Sequence, residues 1–178
     1  MAPLRRSFAL LGLTALLCCP PSWAQTAPSP SWSTYRNEAF DFAIDTPGPP
    51  PVTVTTTATA VGPMPTLQAT IDLGPRGALQ ITAMDLSQLQ ISSTVDQLLE
   101  GGVQGALNAV GAVKDAETTI AKGTAVGREF TAHNQDAIFK AREYYSQGHI
   151  VAIIGVAPAG SDIPADWERA ESSLEFLH

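Results

Sequence analysis

Apolar and polar side chains alternate with a period of two residues through much of the first half of the chain. Phe40, Phe42 and Ile44 alternate with polar or small residues, which is the pattern of a half-buried β-strand. A turn at Asn37-Glu38 is expected to pair this strand with the residues around Tyr35. A proline-rich stretch at 47–51 ends the strand, because proline cannot donate a backbone hydrogen bond to a neighbouring strand.

Three further segments of the first half have the composition of strands. Residues 52–61 are almost entirely Val, Thr and Ala, and alternating apolar positions mark 67–73 and 79–83. The connections are short, and the turn at 74–77 contains two glycines and a proline. Parallel strands need long crossovers, so the sequence predicts antiparallel pairing.

The hydrophobic period changes to three and four residues over 95–110, which predicts an amphipathic helix. Thr94 and Gln97 have the spacing of a capping box at its start, and Gly111 is a typical helix stop. Three glycines lie inside this helix, although each costs about 1 kcal/mol of helix stability relative to alanine. We expect them to permit the close approach of another backbone. These glycines are Gly101, Gly102 and Gly105.

Four more strands are predicted after this helix, at 113–120, 124–132, 137–146 and 150–157. If the hairpin loops at 134–135 and 147–148 contain two residues each, the register of the last three strands is fixed. The predicted cross-strand pairs are Phe130 with Phe139, Glu129 with Lys140, and Ala141 with Ile154. Register also assigns side chains to the two faces of the sheet. One face carries Val126, Phe130, Phe139, Ala141, Ile154 and Val156. The other face carries Glu129, Lys140, Arg142, Tyr144, Val151 and Ile153.

The last predicted element is a helix that starts near Asp162 and runs to the end of the chain. Its apolar side carries Trp167, Ala170, Leu174 and Leu177. The predicted order is therefore four strands, a helix, four strands and a helix, or β4-α-β4-α. This order is typical of an α+β fold, in which an antiparallel β-sheet of about seven to eight strands is sandwiched by helices.

Residues 1–24 have the three parts of a secretory signal peptide. Arg5 and Arg6 precede an apolar run of about ten residues, and the small residues Ser22 and Ala24 predict cleavage after Ala24. The apolar run is well short of the roughly 20 residues that span a bilayer. Residues 25–33 are rich in Pro and Ser and are expected to be a flexible linker, which leaves a single domain at 34–178.

The leader predicts a periplasmic or secreted protein without a membrane span. Export by the general secretory route is favoured, and the Arg5-Arg6 pair leaves the twin-arginine route open. Both cysteines of the chain, Cys18 and Cys19, would leave with the leader. We therefore expect neither a disulfide nor a thiolate metal site in the mature protein.

Charge narrows the expected class of partner. The full chain has 10 basic and 17 acidic residues and a net charge of −7. Removing Arg5 and Arg6 leaves 8 basic and 17 acidic residues, so the mature net charge would be −9. Nucleic-acid-binding domains usually carry a basic surface, so no nucleic-acid partner is expected. The hydrophobic content of 44% is too high for a disordered acidic chain.

The sequence contains no P-loop, no dinucleotide-binding glycine turn, no Gly-x-Ser-x-Gly elbow and no His-Glu-x-x-His motif. His133 and His149 are expected in hairpin turns at opposite ends of one strand, exposed to water and too far apart to share a metal. His178 is the terminal residue and is expected to fray. We therefore expect a protein that is not an enzyme and has no metal and no cofactor.

A group of charged and aromatic side chains on two adjacent strands is the most function-like feature of a chain with only 15% charged residues. Arginine and tyrosine are enriched in binding hot spots, but the same composition is typical of ion pairs on a solvated sheet. In the predicted register Arg142 lies opposite Gly127 and Ile153 and has no acidic partner. The candidate binding residues are Arg128, Glu129, Lys140, Arg142 and Tyr144, with Glu143 and Tyr145 beside them.

Two functions remain open at this point. The first is a non-enzymatic accessory domain that binds another exported or envelope protein through one edge of the sheet or through this group of residues. The second is a carrier of a small apolar ligand, with a pocket between the sheet and the helix at 94–110. Leu98, Val103 and Leu107 would line that pocket, and a cavity on the order of a few hundred Å³ would favour the carrier.

The order of elements, together with several short segments, resembles the PsbP-like family of small exported α+β domains. The resemblance runs from about Trp32 to Phe176. It implies an antiparallel sheet between helices and a protein that acts largely by binding other proteins, with no catalytic residues to transfer. The segments that carry it are Tyr35 with 40–44 and Pro47, residues 127–130, residues 142–145, the apolar strand at 150–156, and residues 172–176.

Overall fold

The computed structural model describes residues 31–59 and 62–178, which contain ten strands and two α-helices. The predicted signal peptide at 1–24 lies outside the described residues, as does most of the predicted linker. In chain order the elements are β1 Trp32–Asn37, β2 Phe42–Pro47, β3 Val52–Thr59, β4 Gly62–Asp72, β5 Ala78–Asp85, α1 Val95–Val110, β6 Val113–Lys122, β7 Ala125–His133, β8 Ala137–Ser146, β9 His149–Pro158, α2 Ala165–Ser172 and β10 Glu175–Phe176.

Seven strands form the main sheet, in the order β3-β4-β5-β9-β8-β7-β6. A small sheet contains β1, β2 and β10. Every pair of neighbouring strands is antiparallel, as the short connections require. The prediction of an α+β fold with an antiparallel sheet is therefore confirmed. Within the described ranges, no helix is both long and apolar enough to cross a membrane.

The larger core lies between one face of the main sheet and a layer formed by β2 and α2. Trp167 of α2 is buried there, and its indole N–H donates a 3.1 Å hydrogen bond to the backbone carbonyl of Ile153. This bond satisfies the polar atom of a large buried ring. The other main members of this core are Phe42, Ile44, Leu67, Ala69, Leu79, Ile81, Val151 and Leu174.

A second core lies on the opposite face of the main sheet, beneath α1. The predicted capping box is present, with Thr94 Oγ1 accepting from the Gln97 backbone and the Gln97 side chain accepting from Thr94. The helix ends at Gly111, which has a φ of 61° and the left-handed conformation that favours glycine. α1 packs mainly on β7 and β8, with Val103, Leu107, Phe130, Ala132 and Ala141 in the contact.

The predicted register between β7 and β8 is wrong by two residues. Phe130 lies opposite Ala141 and Glu129 lies opposite Arg142, whereas the pair of Ala141 with Ile154 is confirmed. The loop is longer than predicted, because the Asn134 backbone amide bonds to the Ala137 carbonyl and leaves four residues between the paired positions. A shift of two residues keeps each side chain on its face, so the predicted faces survive the error.

The prediction that the last helix reaches the end of the chain is also wrong. α2 ends at Ser172, and Glu175 and Phe176 form β10, which pairs with β2. The hydroxyl of Ser173 accepts a 2.8 Å hydrogen bond from the backbone amide of Asp45, which turns the chain into the small sheet. Five strands rather than four precede α1, because β1 is a separate strand paired with β2.

Candidate functional site

The predicted charged and aromatic group is divided between the two faces of the main sheet. Successive side chains of a strand point in opposite directions, so Arg128 and Glu129 cannot share a face. Arg128 lies on the side of α1, where it bonds to Asp96. Glu129, Lys140, Arg142 and Tyr144 lie on the side of α2. The predicted cluster is therefore two separate sites.

Arg142 has two acidic partners, which overturns the prediction that it has none. Its guanidinium group bonds to Glu129, directly opposite on β7, and to Glu171 of α2. Burial by itself would lower the pKa of Arg142, but the hydrogen bond to Glu129 and the charges of both carboxylates raise it above the usual value. Arg142 is thus held in place inside the protein's own network.

Glu171 is the centre of this network and only 4% exposed. Tyr144 Oη donates a 2.8 Å hydrogen bond to Glu171 Oε1, and Lys122 Nζ lies 3.3 Å from the same oxygen. Burial and this hydrogen bond raise the pKa of Tyr144 above its usual range. A buried carboxylate must be paired and hydrogen-bonded to be tolerated, so these groups fasten α2 to the sheet.

Lys140 differs from its neighbours on this face. Its Nζ lies 4.6 Å from the centre of the Trp167 ring, a cation–π contact. Lys140 forms no ion pair with any of the described residues. It lies opposite Thr131 rather than Glu129, as the corrected register requires. Lys140 therefore keeps hydrogen-bonding capacity that the other cations of this face have used.

On the other face, Arg128 connects α1 to β6. Its guanidinium group bonds to Asp96, to Glu117 and, at 3.2 Å, to Glu100 Oε2. The hydrogen bond to Glu117 is the main cause that raises the pKa of Arg128. This arrangement links the first two turns of α1 to the edge of the sheet.

A cavity of about 560 Å³ lies beside this linkage, between α1 and the main sheet. α1 covers β7 and β8, and the cavity extends from the helix across the same face of β9, β5 and β4. Its wall is largely apolar. From the helix side it is lined by Leu98, Gly101, Gly102, Gly105, Ala106, Leu107, Ala109 and Val110. From the sheet side it is lined mainly by Met64, Thr66, Thr82, Met84, Phe130, Phe139, Ala141, Glu143, Ala152 and Ile154.

Two of the three predicted pocket residues lie in this wall. Leu98 and Leu107 line the cavity, whereas Val103 does not. Val103 is fully buried in the contact of α1 with β7 and β8, because it lies on the side of the helix that faces those strands. The wall formed by β4 and β5 was not predicted, since nothing local to those strands indicates how far α1 extends over the sheet.

Glu143 contributes an acidic group to the cavity wall. The residue is 2% exposed, and its Oε1 has no hydrogen-bond partner. Burial raises the pKa of Glu143 to about 8, with a further increase from Glu117 and a decrease from Arg128. Arg128 lies directly opposite on β7, but its guanidinium group bonds to other carboxylates instead.

The sequence pattern distinguishes Glu143 from the charged and aromatic residues next to it. Position 143 is in phase with Phe139 and Ala141, so it belongs to the apolar face of β8. An acidic residue in such a position is destabilising unless it is paired, so its presence there indicates a function. Glu143 is therefore the residue that sequence reasoning should have separated from its neighbours.

The three histidines fit structural roles. His133 is exposed as predicted and lies 2.7 Å from Asp115, but the prediction is wrong for His149, which is largely buried with Nε2 3.5 Å from Asp85. The prediction that His178 frays is also wrong. His178 pairs with Asp41, and its Nε2 lies 3.0 Å from Ser146 Oγ. Ser146 is itself buried, so this group attaches the chain end to the fold.

Comparison with known proteins identifies the fold. No family model matches the chain, and no curated protein matches it in sequence. A solved structure does match: the solution structure of cyanobacterial PsbP (CyanoP) from Synechocystis sp. PCC 6803, with a TM-score of 0.54. The two share 10% sequence identity, and the match covers 93% of this chain and 98% of the other. The protein therefore has a PsbP-like fold.

Proposed function

We propose that the protein is an exported, non-enzymatic binding protein that carries a small, largely apolar ligand in the cavity between α1 and the main sheet. The cavity itself is the observation that supports this function. Its volume of about 560 Å³ is within the range of small-molecule sites, roughly 300–1,000 Å³. An apolar wall with a few polar groups is also typical of such sites.

The side chains around the cavity explain why the core does not fill it. The helix contributes glycines and alanines, which leave space between α1 and the strands. On the sheet, Ala152 of β9 is similarly short. Met64 and Met84 are flexible apolar side chains, which adapt to ligands of different shape. The favourable free energy of ligand binding would come mainly from the transfer of the ligand's apolar surface from water to this apolar wall.

A fluorescence titration with N-phenyl-1-naphthylamine tests the carrier function. This probe is small and apolar, and its emission rises when it leaves water. We expect saturable binding by the protein, and a loss of affinity of at least tenfold in Ala152→Trp, because the indole would occupy the cavity. Ala121→Trp on the exposed side of β6 is the matched control and should bind as the unchanged protein does.

Melting curves of both tryptophan variants must show that they remain folded. Absence of saturable binding by the unchanged protein would contradict the carrier function. Equal binding by Ala152→Trp and the unchanged protein would show that the probe binds elsewhere on the surface. Either result would reject the cavity as the functional site.

A second candidate function is an accessory domain that binds another exported or envelope protein. Lys140 supports it, because this cation lies over Trp167 and has no ion-pair partner in the described part of the chain. The resemblance of the chain to PsbP-like domains implies a protein that binds other proteins, which agrees with this alternative. Affinity capture from the periplasm with the unchanged protein should then recover a partner that the Lys140→Glu variant does not recover. Lys122→Ala is the control for destabilisation, because the Lys122 ammonium group bonds to Glu171 in the unchanged protein.

Export is part of both proposals. The leader at 1–24 would direct the chain to the periplasm or the outside of the cell, where the domain at 34–178 would act. The general secretory route is favoured over the twin-arginine route. Neither candidate function requires a cofactor.

A further inference from the structure

Glu143 is the only residue with an ionisable side chain in the lining of the cavity, counted over the described residues. The other polar residues of the wall are neutral: Thr66, Gln68, Gln80 and Thr82. Polar groups that fix the orientation of a ligand are few in apolar sites, and each therefore has a large effect on specificity. The chemistry of Glu143 should thus decide which head group the site accepts.

The carboxyl group has a free acceptor position. Oε1 of Glu143 is buried and has no hydrogen-bond partner among the described residues, a costly arrangement that native proteins usually avoid. The candidate partner within the protein is Arg128, which is directly opposite in register and whose charge acts on Glu143. Its guanidinium group bonds to Asp96, Glu100 and Glu117 and is thereby turned away.

The helix leaves room for this carboxyl group at one position. A Cβ atom built on Gly102 would overlap with Oε1 of Glu143 and would lie 2.7 Å from its Cδ. Gly101 and Gly105, one position before and three after, have nothing within 4 Å of an added Cβ. The carboxyl group therefore lies against the backbone of α1 at the cavity wall.

The charges around Glu143 favour a cation. α1 contributes Asp96 and Glu100, β6 contributes Glu117 with its partner Lys114, and β7 contributes Arg128. With Glu143 there are four carboxyl groups against two cations, and both cations are already paired. A ligand carboxylate would add another negative charge, whereas an ammonium group would reduce the imbalance.

We propose that Glu143 recognises the head group of the ligand, and that the ligand is a small apolar molecule with an amine that donates a hydrogen bond to the Glu143 carboxyl group. This inference rests on the proposed carrier function. It assigns the polar end of the ligand to the part of the cavity beneath Gly102. The apolar body then lies along β9, β5 and β4.

Competition among matched amphiphiles tests this assignment. Octylamine, 1-octanol and octanoate share one alkyl chain and differ in head group, and each is titrated against bound N-phenyl-1-naphthylamine. We expect octylamine to displace the probe at a concentration at least tenfold below that of octanoate, with 1-octanol between them. In Glu143→Gln the advantage of the amine over the carboxylate should fall below threefold.

Two further measurements separate recognition from a structural role. The affinity for octylamine should increase at least threefold from pH 6 to pH 9 as Glu143 ionises, while that for 1-octanol stays constant. This pH dependence should be absent in Glu143→Gln. Glu175→Gln on β10 is the matched control, because it removes one carboxylate far from the cavity and should leave the preference unchanged.

The outcomes distinguish the two proposals. If the probe does not bind the unchanged protein, the carrier function fails and this inference fails with it. If the probe binds in the cavity but octanoate competes as well as octylamine, the carrier function stands and the role of Glu143 is rejected. Retention of the amine preference by a folded Glu143→Gln variant would reject it as well.

Discussion

Gly102 of α1 and Glu143 of β8 occupy adjoining space, so that a Cβ atom at position 102 would overlap with the Glu143 carboxyl group. Three glycines of α1 are expected from the sequence to permit a close approach of another backbone. The structure shows a close approach at Gly102 alone, and its neighbour there is a side chain. The position of the carboxyl group at the cavity wall therefore depends on the absence of a side chain on the helix.

Substitution of these glycines by alanine should have opposite effects along one helix. Gly102→Ala should destabilise the protein by about 1 kcal/mol, because the added atom displaces the end of the buried Glu143 side chain. Gly101→Ala and Gly105→Ala have free space and should stabilise it by about 0.5–1 kcal/mol each. Urea denaturation of the three variants measures these differences.

A double substitution identifies the cause of the Gly102→Ala effect. In a Glu143→Ala background the overlapping carboxyl group is gone, so Gly102→Ala should stabilise the protein by about 0.5–1 kcal/mol there, as alanine does at the other two glycines. An equal cost in both backgrounds would mean that Gly102 is required for a reason other than the space of Glu143.

The stability of the protein should decrease as the pH rises through the weakly acidic and neutral range. The pKa of Glu143 is about 8 in the folded protein and 4.5 as a free side chain, so the folded state holds the proton more tightly. Its favourable contribution is complete below pH 4.5 and is lost as the pH rises to about 8. Between these two limits, the contribution of Glu143 to the free energy of unfolding changes by on the order of 5 kcal/mol.

Glu143→Gln is the appropriate comparison for this pH dependence, because glutamine keeps the shape and cannot ionise. The free energy of unfolding of the variant, relative to that of the unchanged protein, should increase from pH 5 to pH 7 and again to pH 9. Parallel stability curves for the two proteins over this range would show that Glu143 does not titrate between these limits.

Arg142→Ala should destabilise the protein by about 2 kcal/mol, since it leaves Glu129 and the buried Glu171 with fewer partners. Lys140→Ala removes a cation of the same face that lies over the Trp167 ring and has no ion pair in the described part of the chain, and should cost less than about 1 kcal/mol. Thermal and urea denaturation of the two variants provide the comparison. Equal effects would contradict the assignment of Arg142 to the network around Glu171.

The exported protein should begin at Gln25, with the leader removed after Ala24. Intact-mass measurement of protein recovered from the periplasm or the medium tests this cleavage. The mature chain would contain no cysteine, so alkylating reagents should leave its mass unchanged. A species that retains Met1, or one acylated at Cys18 or Cys19, would contradict the proposed export.

Local patterns were sufficient for most of the secondary structure and for the two faces of the sheet. The alternation in β2, the capping box of Thr94 and Gln97 and the stop at Gly111 depend only on neighbours in sequence. The hairpin loop between β7 and β8 was predicted too short, yet a shift of two residues leaves side chains on the same face. Such features depend on short-range geometry, which a sequence states directly.

The partners of the charged residues depend on distant parts of the chain. Arg142 is satisfied by Glu171, which is 29 residues away and reaches it only because α2 packs on that face of the sheet. The Ser173 turn that ends α2 and starts β10 likewise depends on Asp45, 128 residues away. Register alone could not decide these contacts, because side chains from other elements compete for the same groups.

The cavity and the Glu143 carboxyl group in its wall both depend on how α1 packs on the main sheet. The sequence by itself determined that β8 carries Glu143 in phase with apolar residues and that α1 is amphipathic with internal glycines. Only the tertiary structure decided that α1 covers two strands of a seven-stranded sheet, that Arg128 bonds elsewhere and that Gly102 lies over Glu143. The reason is physical: packing between a helix and a sheet sets their relative position, and that position leaves both the space and the unpaired oxygen.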